Sequence, residues 1–161
     1  MIRIKHFIFL LISVCALSLS SCGGGSGGGD DTPTLTAEEQ RLLDLVGTTG
    51  VTYVASSITF NGAAATGFDD FTLTLRGTAS SKTYSTTDGD PVFKATGSWA
   101  FNGTNINQIL IDGNSSNTFA ISSFNASAGT FTLTVNFVAS GGVAAGTAST
   151  NGTYVFNLVK R

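Results

Sequence analysis

The sequence predicts an all-β domain, an eight-stranded antiparallel up-and-down barrel preceded by one short helix. Segments such as 71–76 and 131–137 alternate apolar and polar residues, which is typical of strands with one buried face. Dipeptides that favour tight turns, such as Asn61-Gly62 and Asp112-Gly113, separate these segments. A capping sequence, Thr36-Ala37-Glu38-Glu39, stands before the first strand. With 161 residues, the chain has room for one such domain and a tail.

Residues 1–21 have the layout of a secretory signal peptide: basic residues, an apolar stretch, then small residues before Cys22. The apolar stretch is shorter than the roughly 20 residues of a permanent membrane helix. The segment Leu19-Ser20-Ser21-Cys22 resembles the lipobox of bacterial lipoproteins. The resemblance implies that diacylglycerol is joined to the Cys22 thiol and that the leader is cut before it. The alternative is an ordinary cleaved signal peptide with Cys22 as a bystander.

Residues 22–35 form the predicted tether. Six of the seven residues at 23–29, Gly-Gly-Gly-Ser-Gly-Gly-Gly, are glycines with no side chain to bury, so we expect a random coil. The acidic pair Asp30-Asp31 resembles the acidic tethers of some surface-exposed bacterial lipoproteins, although a solvated loop explains it equally well. The resemblance implies a location in the bacterial cell envelope, as an outer membrane lipoprotein. If Asp30-Asp31 is an acidic tether of this kind, the protein is exposed at the cell surface.

The domain proper is expected at residues 36–161. In the capping box, the Thr36 hydroxyl accepts from the Glu39 amide, and Glu39 reaches back to the amide of Thr36. This predicts a helix from about Ala37 to Leu45 that ends near Gly47. Its apolar side, which we expect to pack on the strands, is formed by Leu42, Leu43, Leu45 and Val46.

The strands are predicted at 51–60, 70–77, 81–87, 96–102, 106–112, 117–124, 129–138 and 152–160. Closing eight sequential strands into a barrel removes exposed sheet edges. An interior of this size either fills with side chains or holds one small ligand. The inward residues, as core or as ligand lining, are predicted to be Phe60, Leu73, Leu75, Trp99, Phe101, Ile109, Ile111, Phe119, Ile121, Leu133, Val135, Tyr154 and Phe156. The alternative fold is an open β-sandwich of the same strands.

Several motifs between about residue 45 and residue 161 resemble bacterial lipoproteins with a lipocalin-like domain. They include Gly67-Phe68-Asp69-Asp70-Phe71, Gly97-Ser98-Trp99-Ala100-Phe101 and Gly152-Thr153-Tyr154-Val155-Phe156. Where lipocalin-like domains usually carry Gly-x-Trp at the first strand, this chain has Gly47-Thr48-Thr49. The resemblance implies a β-barrel that carries a small apolar ligand.

Composition limits the chemistry. The chain's one His and two Cys are His6, Cys15 and Cys22, so the predicted domain has no hydrolytic triad and no thiol chemistry. We therefore expect no enzyme activity, no cofactor and no metal. The formal net charge of −2 and the absence of a basic run argue against nucleic acid as a partner.

Two acidic clusters leave weaker alternatives open. The pair Asp69-Asp70 and the segment Asp88-Gly89-Asp90 could supply the carboxyls of a glycosidase or ligands for Ca²⁺. Ordinary turn chemistry explains Asp beside Gly and Pro better. The aromatic residues Trp99, Phe93 and Tyr84 could stack on a sugar or an apolar ligand, although a place in the core is favoured.

The functional prediction is a membrane-anchored, non-enzymatic envelope lipoprotein that binds a small hydrophobic ligand in its barrel. Its expected partners are the membrane, through Cys22, and that ligand. The alternative is a structural or adhesive surface module that binds protein or glycan through the outer face of a solid barrel. The Gly- and Ala-rich segment 139–146 is predicted to be a flap over one barrel end. Oligomeric state is not predicted.

Overall fold

A computed structural model describes residues 34–139 and 150–161. The predicted leader, the lipidation of Cys22 and the tether up to residue 33 lie outside the described residues, as do residues 140–146 of the predicted flap. Residues 34–161 belong to one compact unit. In chain order its elements are α1 (Ala37–Val46), β1 (Val51–Phe60), β2 (Ala63–Ala64), β3 (Thr72–Gly77), β4 (Lys82–Thr87), β5 (Thr96–Asn102), β6 (Asn105–Ile111), β7 (Thr118–Asn125), β8 (Thr130–Phe137) and β9 (Gly152–Lys160).

The strands close into an antiparallel barrel. From β3 to β9 each strand pairs with the next in sequence, and β1 pairs with both β3 and β9. Seven residue pairs join β1 to β9, from Tyr53 opposite Lys160 to Phe60 opposite Tyr154. The short β2 only extends β1 through a hairpin. The predicted eight-stranded up-and-down barrel with a preceding helix is therefore confirmed, and closure excludes the open sandwich.

The strand bounds agree with the predicted ones to within two residues at each end. This agreement follows from turns whose residues require unusual backbone angles. Asn61 and Gly62, between β1 and β2, have φ values of 49° and 84°, and Asp112 and Gly113 after β6 have 52° and 68°. Asn, Asp and Gly adopt such positive φ values at the lowest cost, so these dipeptides mark where strands stop.

Helix α1 closes the barrel end at which β1 begins, here called the helix end. The capping box is present: the Glu39 amide donates to Thr36 Oγ1 at 3.2 Å and the Thr36 amide donates to Glu39 Oε2 at 2.8 Å. Leu45 is fully buried on the inner side of the helix, whereas Leu43, which was expected on that side, is exposed. The Tyr53 hydroxyl donates to the Leu45 carbonyl at 2.8 Å. None of the helices in the described ranges is long and apolar enough to cross a bilayer.

The opposite end, here called the mouth, is formed by the loops 65–71, 88–95 and 112–117. In an up-and-down barrel, alternate connections lie at the same end, so these three loops meet there. The shorter turns 78–81, 103–104 and 126–129 lie at the helix end with α1. The chain enters the barrel through α1, at the end opposite the mouth.

All but one of the thirteen predicted inward residues are buried; the exception, Phe60, is half-buried and packs against the core. A bulge between Ala55 and Ser57 explains why β1 differs from simple alternation. The extra residue reverses the inward register, so that Tyr53 faces the core before the bulge and Phe60 after it. Tyr84 and Phe93, for which a place in the core was favoured, are also buried. The prediction omitted further core residues from strands and loops: Tyr53, Phe68, Phe71, Val92, Phe131, Phe137 and Leu158.

Candidate functional site at the barrel mouth

The interior of the barrel is occupied by side chains. Leu73, Phe119, Leu133 and Phe156 are at most 1% exposed, and the buried residues form one continuous cluster. Phe93, from loop 88–95, is inserted among strands on several sides of the barrel. Its ring lies 5.0 Å from Phe119 and 5.5 Å from Phe156 by ring centroids. At the helix end, α1 covers the same cluster from below.

Local hydrogen bonds fix the loop that carries Phe93. The Phe93 amide donates to the Gly89 carbonyl at 2.7 Å, which closes a helix-like turn inside the loop. The Thr86 hydroxyl donates to the Lys94 carbonyl at 2.8 Å, which ties the loop back to β4. Because its backbone is held at both points, the loop presents Phe93 inward and Lys94 outward.

Above Phe93, the mouth contains an open pocket of about 370 Å³. This volume lies near the lower limit of the range of about 300–1,000 Å³ that is usual for ligand pockets. Its apolar wall is formed by Val92, Phe93, Ile111, Phe119 and Phe137. Its polar lining includes Tyr84, Asp90, Lys94, Asp112 and Asn117.

Asp112 organises the polar side of the pocket. Its Oδ1 accepts the Ser98 amide at 2.8 Å, and its Oδ2 accepts from Lys94 Nζ at 3.0 Å and from the Tyr84 hydroxyl at 3.4 Å. Burial by itself would raise the pKa of Asp112, but the hydrogen bond from Ser98 and the ammonium of Lys94 together hold the pKa below its ordinary value. The carboxylate therefore stays charged at neutral pH.

The close packing around Asp112 depends on Gly97. A Cβ at position 97 would collide with Asp112 Oδ1 and lie 2.6 Å from Tyr84 Cε1. Burial, followed by the charge of Asp112 and a hydrogen bond to it, raises the pKa of Tyr84 to about 12. Tyr84 is thus a neutral hydroxyl donor at the pocket rather than a base.

Asn117 is the buried polar residue of the mouth. Its Nδ2 donates to the Val138 carbonyl at 3.0 Å and its Oδ1 accepts the Val138 amide at 2.8 Å. The side-chain amide therefore pairs with the backbone beyond β8, and it fixes the pocket wall next to Phe137.

Acidic side chains predominate at the mouth. Loops 65–71, 88–95 and 112–117 carry Lys94 as their only basic residue, together with the carboxylates of Asp69, Asp70, Asp88, Asp90 and Asp112. The basic residues Arg41, Arg76, Lys82, Lys160 and Arg161 belong to α1 or to strand ends at the helix end. The two ends of the barrel thus differ in sign of charge.

The acidic clusters considered from the sequence are exposed in the structure. Asp69, Asp70, Asp88 and Asp90 are all exposed, and Asp88 accepts the Asp70 amide at 3.2 Å, which joins two mouth loops. Within the described part of the chain, no group of three His, Cys, Asp or Glu side chains could hold a metal ion. Asp88 has a positive φ of 49°, which agrees with the turn chemistry favoured from the sequence.

The pocket combines residues that the sequence indicated with residues that it did not. Ile111 and Phe119 were predicted to face inward, as core or as ligand lining. In the structure both line the pocket. Tyr84 and Phe93 also line it, while Trp99 is buried away from it and donates its indole N–H to the Arg76 carbonyl at 3.2 Å.

Asn117 and Phe137 were not predicted as site residues. A usable signal existed for the loop, since the apolar pair Val92-Phe93 inside a turn region indicates a segment that folds inward. No comparable signal marks Asn117.

No family model, curated protein or solved structure matches this chain.

Proposed function

We propose that this protein is a non-enzymatic lipoprotein of the bacterial cell envelope, held to the outer membrane through Cys22, that binds one small, largely apolar ligand in the mouth pocket. The observation that carries the proposal is the pocket of about 370 Å³ with an aromatic wall above a filled barrel. A few converging polar groups on an otherwise apolar wall are typical of small-molecule sites.

The filled interior supports a ligand site at the mouth rather than deeper in the barrel. Phe93 occupies the space that an interior ligand would need, since it contacts Phe71, Phe119 and Phe156 at centroid distances of 5.8, 5.0 and 5.5 Å. The barrel then acts as a rigid scaffold that holds the mouth loops. Rigid elements position a binding site more accurately than free loops do.

The route of the chain also supports an anchored binder. The segment that carries Cys22 joins the barrel through α1, and α1 covers the end opposite the pocket. A tether attached there leaves the mouth free of the point of attachment. The lipobox resemblance at Cys22 supplies the anchor, and several acyl chains hold a protein far more firmly than one.

Native mass spectrometry of the lipidated protein after mild extraction tests this proposal. We expect one adduct of small-molecule mass, bound once per chain. Lys94→Trp, which places a bulky ring at the exposed rim of the pocket, should reduce the adduct. Lys160→Trp, at an exposed residue of the helix end, is the matched control and should retain it. Wild-type protein without an adduct, together with no binding of either 2-phenylethanol or 2-phenylethylamine, would refute the binding function.

A second candidate, the adhesive module, is favoured by the outer surface of the barrel. Hydroxyl groups pair across neighbouring strands, as Thr52 with Thr74 at 2.8 Å and Thr72 with Thr87 at 3.2 Å. Such pairs place hydroxyl groups on the outer face of the barrel, where they suit contact with glycan or protein. Thr74→Lys should abolish adhesion of intact cells if this face binds, whereas Asn114→Lys at the mouth should not.

A further inference from the structure

We propose that the ligand of the mouth pocket is a small organic cation, an amine whose apolar body lies against the aromatic wall and whose charged group faces the acidic rim. This inference rests on the proposed binding function and adds the class of ligand. It is carried by the placement of Asp90 and Asp112 on one pocket with Phe93, Phe119 and Phe137.

Asp90 supplies an available carboxylate. It lines the pocket, its residue is exposed, and it takes part in neither of the ion pairs found among the described residues, which are Lys82 with Glu38 and Lys94 with Asp112. A charged ligand group near Asp90 would gain an opposite charge without displacing an existing partner. Asp90 is therefore the expected first contact of the cation.

The pair of Lys94 and Asp112 shows that the pocket already accommodates an ammonium group. Lys94 Nζ lies 3.0 Å from Asp112 Oδ2, and the Lys94 side chain is 77% exposed whereas that of Asp112 is 25% exposed. An exposed lysine pair contributes little to stability, so it is easily replaced. A ligand ammonium can take the position of the Lys94 ammonium while Lys94 turns to solvent.

The aromatic wall suits the same ligand. Phe93, Phe119 and Phe137 border the pocket and are 3%, 1% and 8% exposed, so they offer the ligand body a small apolar contact surface rather than open ring faces. A carboxylate rim above this surface suits a ligand that has both a positive charge and an apolar body. An uncharged ligand would use the wall but gain nothing from the rim.

The charge of the whole mouth also favours a positively charged ligand. Asp69, Asp70 and Asp88 lie on the same loops outside the pocket lining, so they add a negative field around it. A cleft lined by one sign of charge concentrates ligands of the opposite sign. The single Lys94, already paired, is insufficient to favour an anion.

Three probes with one apolar body and different charges test the inference: 2-phenylethylamine, 2-phenylethanol and 3-phenylpropionate. Binding is measured by calorimetry on the lipidated full-length protein in nanodiscs of zwitterionic lipid, with empty nanodiscs as the blank. We expect the amine to bind most tightly, the alcohol more weakly and the carboxylate most weakly. Added salt should reduce the preference for the amine over the alcohol.

Asp90→Asn should lower the affinity for the amine by about two- to fivefold, the range expected for one exposed charge pair, and leave the alcohol unchanged. The matched control is Asp69→Asn, which removes a mouth charge outside the pocket and should change amine affinity less. Both positions are exposed, so neither variant is expected to affect folding.

The possible failures are distinguishable. Equal affinity for the three probes, tighter binding of the carboxylate, or an unchanged amine affinity in Asp90→Asn would overturn the inference and leave the binding function standing. If neither the alcohol nor the amine binds, the proposed pocket function fails as well.

Discussion

The rings of Phe93 and Phe156 lie with their centroids 5.5 Å apart at an interplanar angle of 74°, although the two residues come from opposite sides of the barrel. Phe93 belongs to the loop between β4 and β5, and Phe156 belongs to β9, four strands from β5 around the closed sheet. A loop residue thus occupies the space beneath the mouth. This contact separates the interior of the barrel from the pocket.

Replacing Phe93 with Ala should remove this plug. Phe93 is 3% exposed, and truncation of a buried Phe costs about 3–5 kcal/mol of unfolding free energy. The measurement is urea unfolding followed by circular dichroism. Val138→Ala, at a residue that is 49% exposed, is the control and should change stability by less than about 0.5 kcal/mol.

The same variant should acquire an apolar cavity below the pocket. Dry cavities lined by apolar residues bind small apolar molecules. Saturating benzene should therefore raise the unfolding midpoint of Phe93→Ala and leave that of the wild type nearly unchanged. A loss of less than about 1 kcal/mol without a benzene effect would mean that Phe93 does not fill the barrel.

Most of the fold could be predicted from the sequence because strands and turns are marked by residues that are neighbours in the chain. Alternation over 131–137 and turn dipeptides such as Asp112-Gly113 identify strands and their ends without knowledge of their partners. Closure is different, since it joins Tyr53 to Lys160 across almost the whole described chain. The register of β1 also depended on a bulge near Ala55, which no sequence period reveals.

The candidate site was less predictable because loops build much of it. Phe93 and Asn117 belong to loops. In loops, the periodicity of apolar residues does not predict which way a side chain points. Asp112 was read as a turn residue, and its φ of 52° agrees. Its second role, in holding Ser98, Lys94 and Tyr84 together, depends on strands β4 and β5 lying beside it.

The tyrosines predict a distinctive alkaline titration. Burial, with a smaller contribution from a nearby Asp in each case, raises the pKa of Tyr53 and Tyr84 to about 12, and burial raises that of Tyr154. These are the chain's 3 tyrosines. In the unfolded chain all should titrate near their ordinary pKa of about 10.

Stability should consequently fall as pH rises through this window. Between pH 10 and about 12 the unfolded chain has released protons that the folded chain still holds, so the free energy of unfolding decreases with pH. Ultraviolet absorbance of tyrosinate should show little ionisation at pH 10.5 in the folded protein, about half a unit above the ordinary pKa, and much more in urea. Equal titration in both states would contradict the burial of these hydroxyls.

The ion pair at the mouth predicts an acid-side effect. Lys94→Gln removes the ammonium beside Asp112, so the pKa of Asp112 should rise toward its ordinary value. A lowered folded-state pKa stabilises the fold above the ordinary pKa, and that contribution is lost as pH falls through the folded-state value. The Lys94→Gln variant should therefore lose part of the stabilisation that the lowered pKa of Asp112 provides at neutral pH.

Carbon-13 NMR titration of the Asp112 carboxyl measures the change directly. Lys82→Gln at the helix end, which removes a looser pair of 3.9 Å with Glu38, is the control. An Asp112 titration that is the same in Lys94→Gln as in the wild type would mean that Lys94 does not hold the carboxylate.

Membrane attachment is predicted to depend on one of the chain's 2 cysteines. Cys22→Ala should release the protein from the detergent-requiring membrane fraction, because the acyl chains that the lipobox resemblance implies could no longer be attached. Cys15→Ala, within the predicted leader, should leave attachment unchanged. Membrane association of Cys22→Ala that still requires detergent would refute the anchor.

The most direct test of the mouth pocket as the binding site is NMR mapping of 2-phenylethylamine on the isotopically labelled, lipidated protein in nanodiscs. The account predicts amide shifts concentrated at Phe93, Lys94, Asp112, Asn117 and Phe137, with the amides of Tyr53 and Leu133 unaffected. Shifts centred on Tyr53 and Leu133, deep in the barrel, or shifts at no described residue, would contradict it.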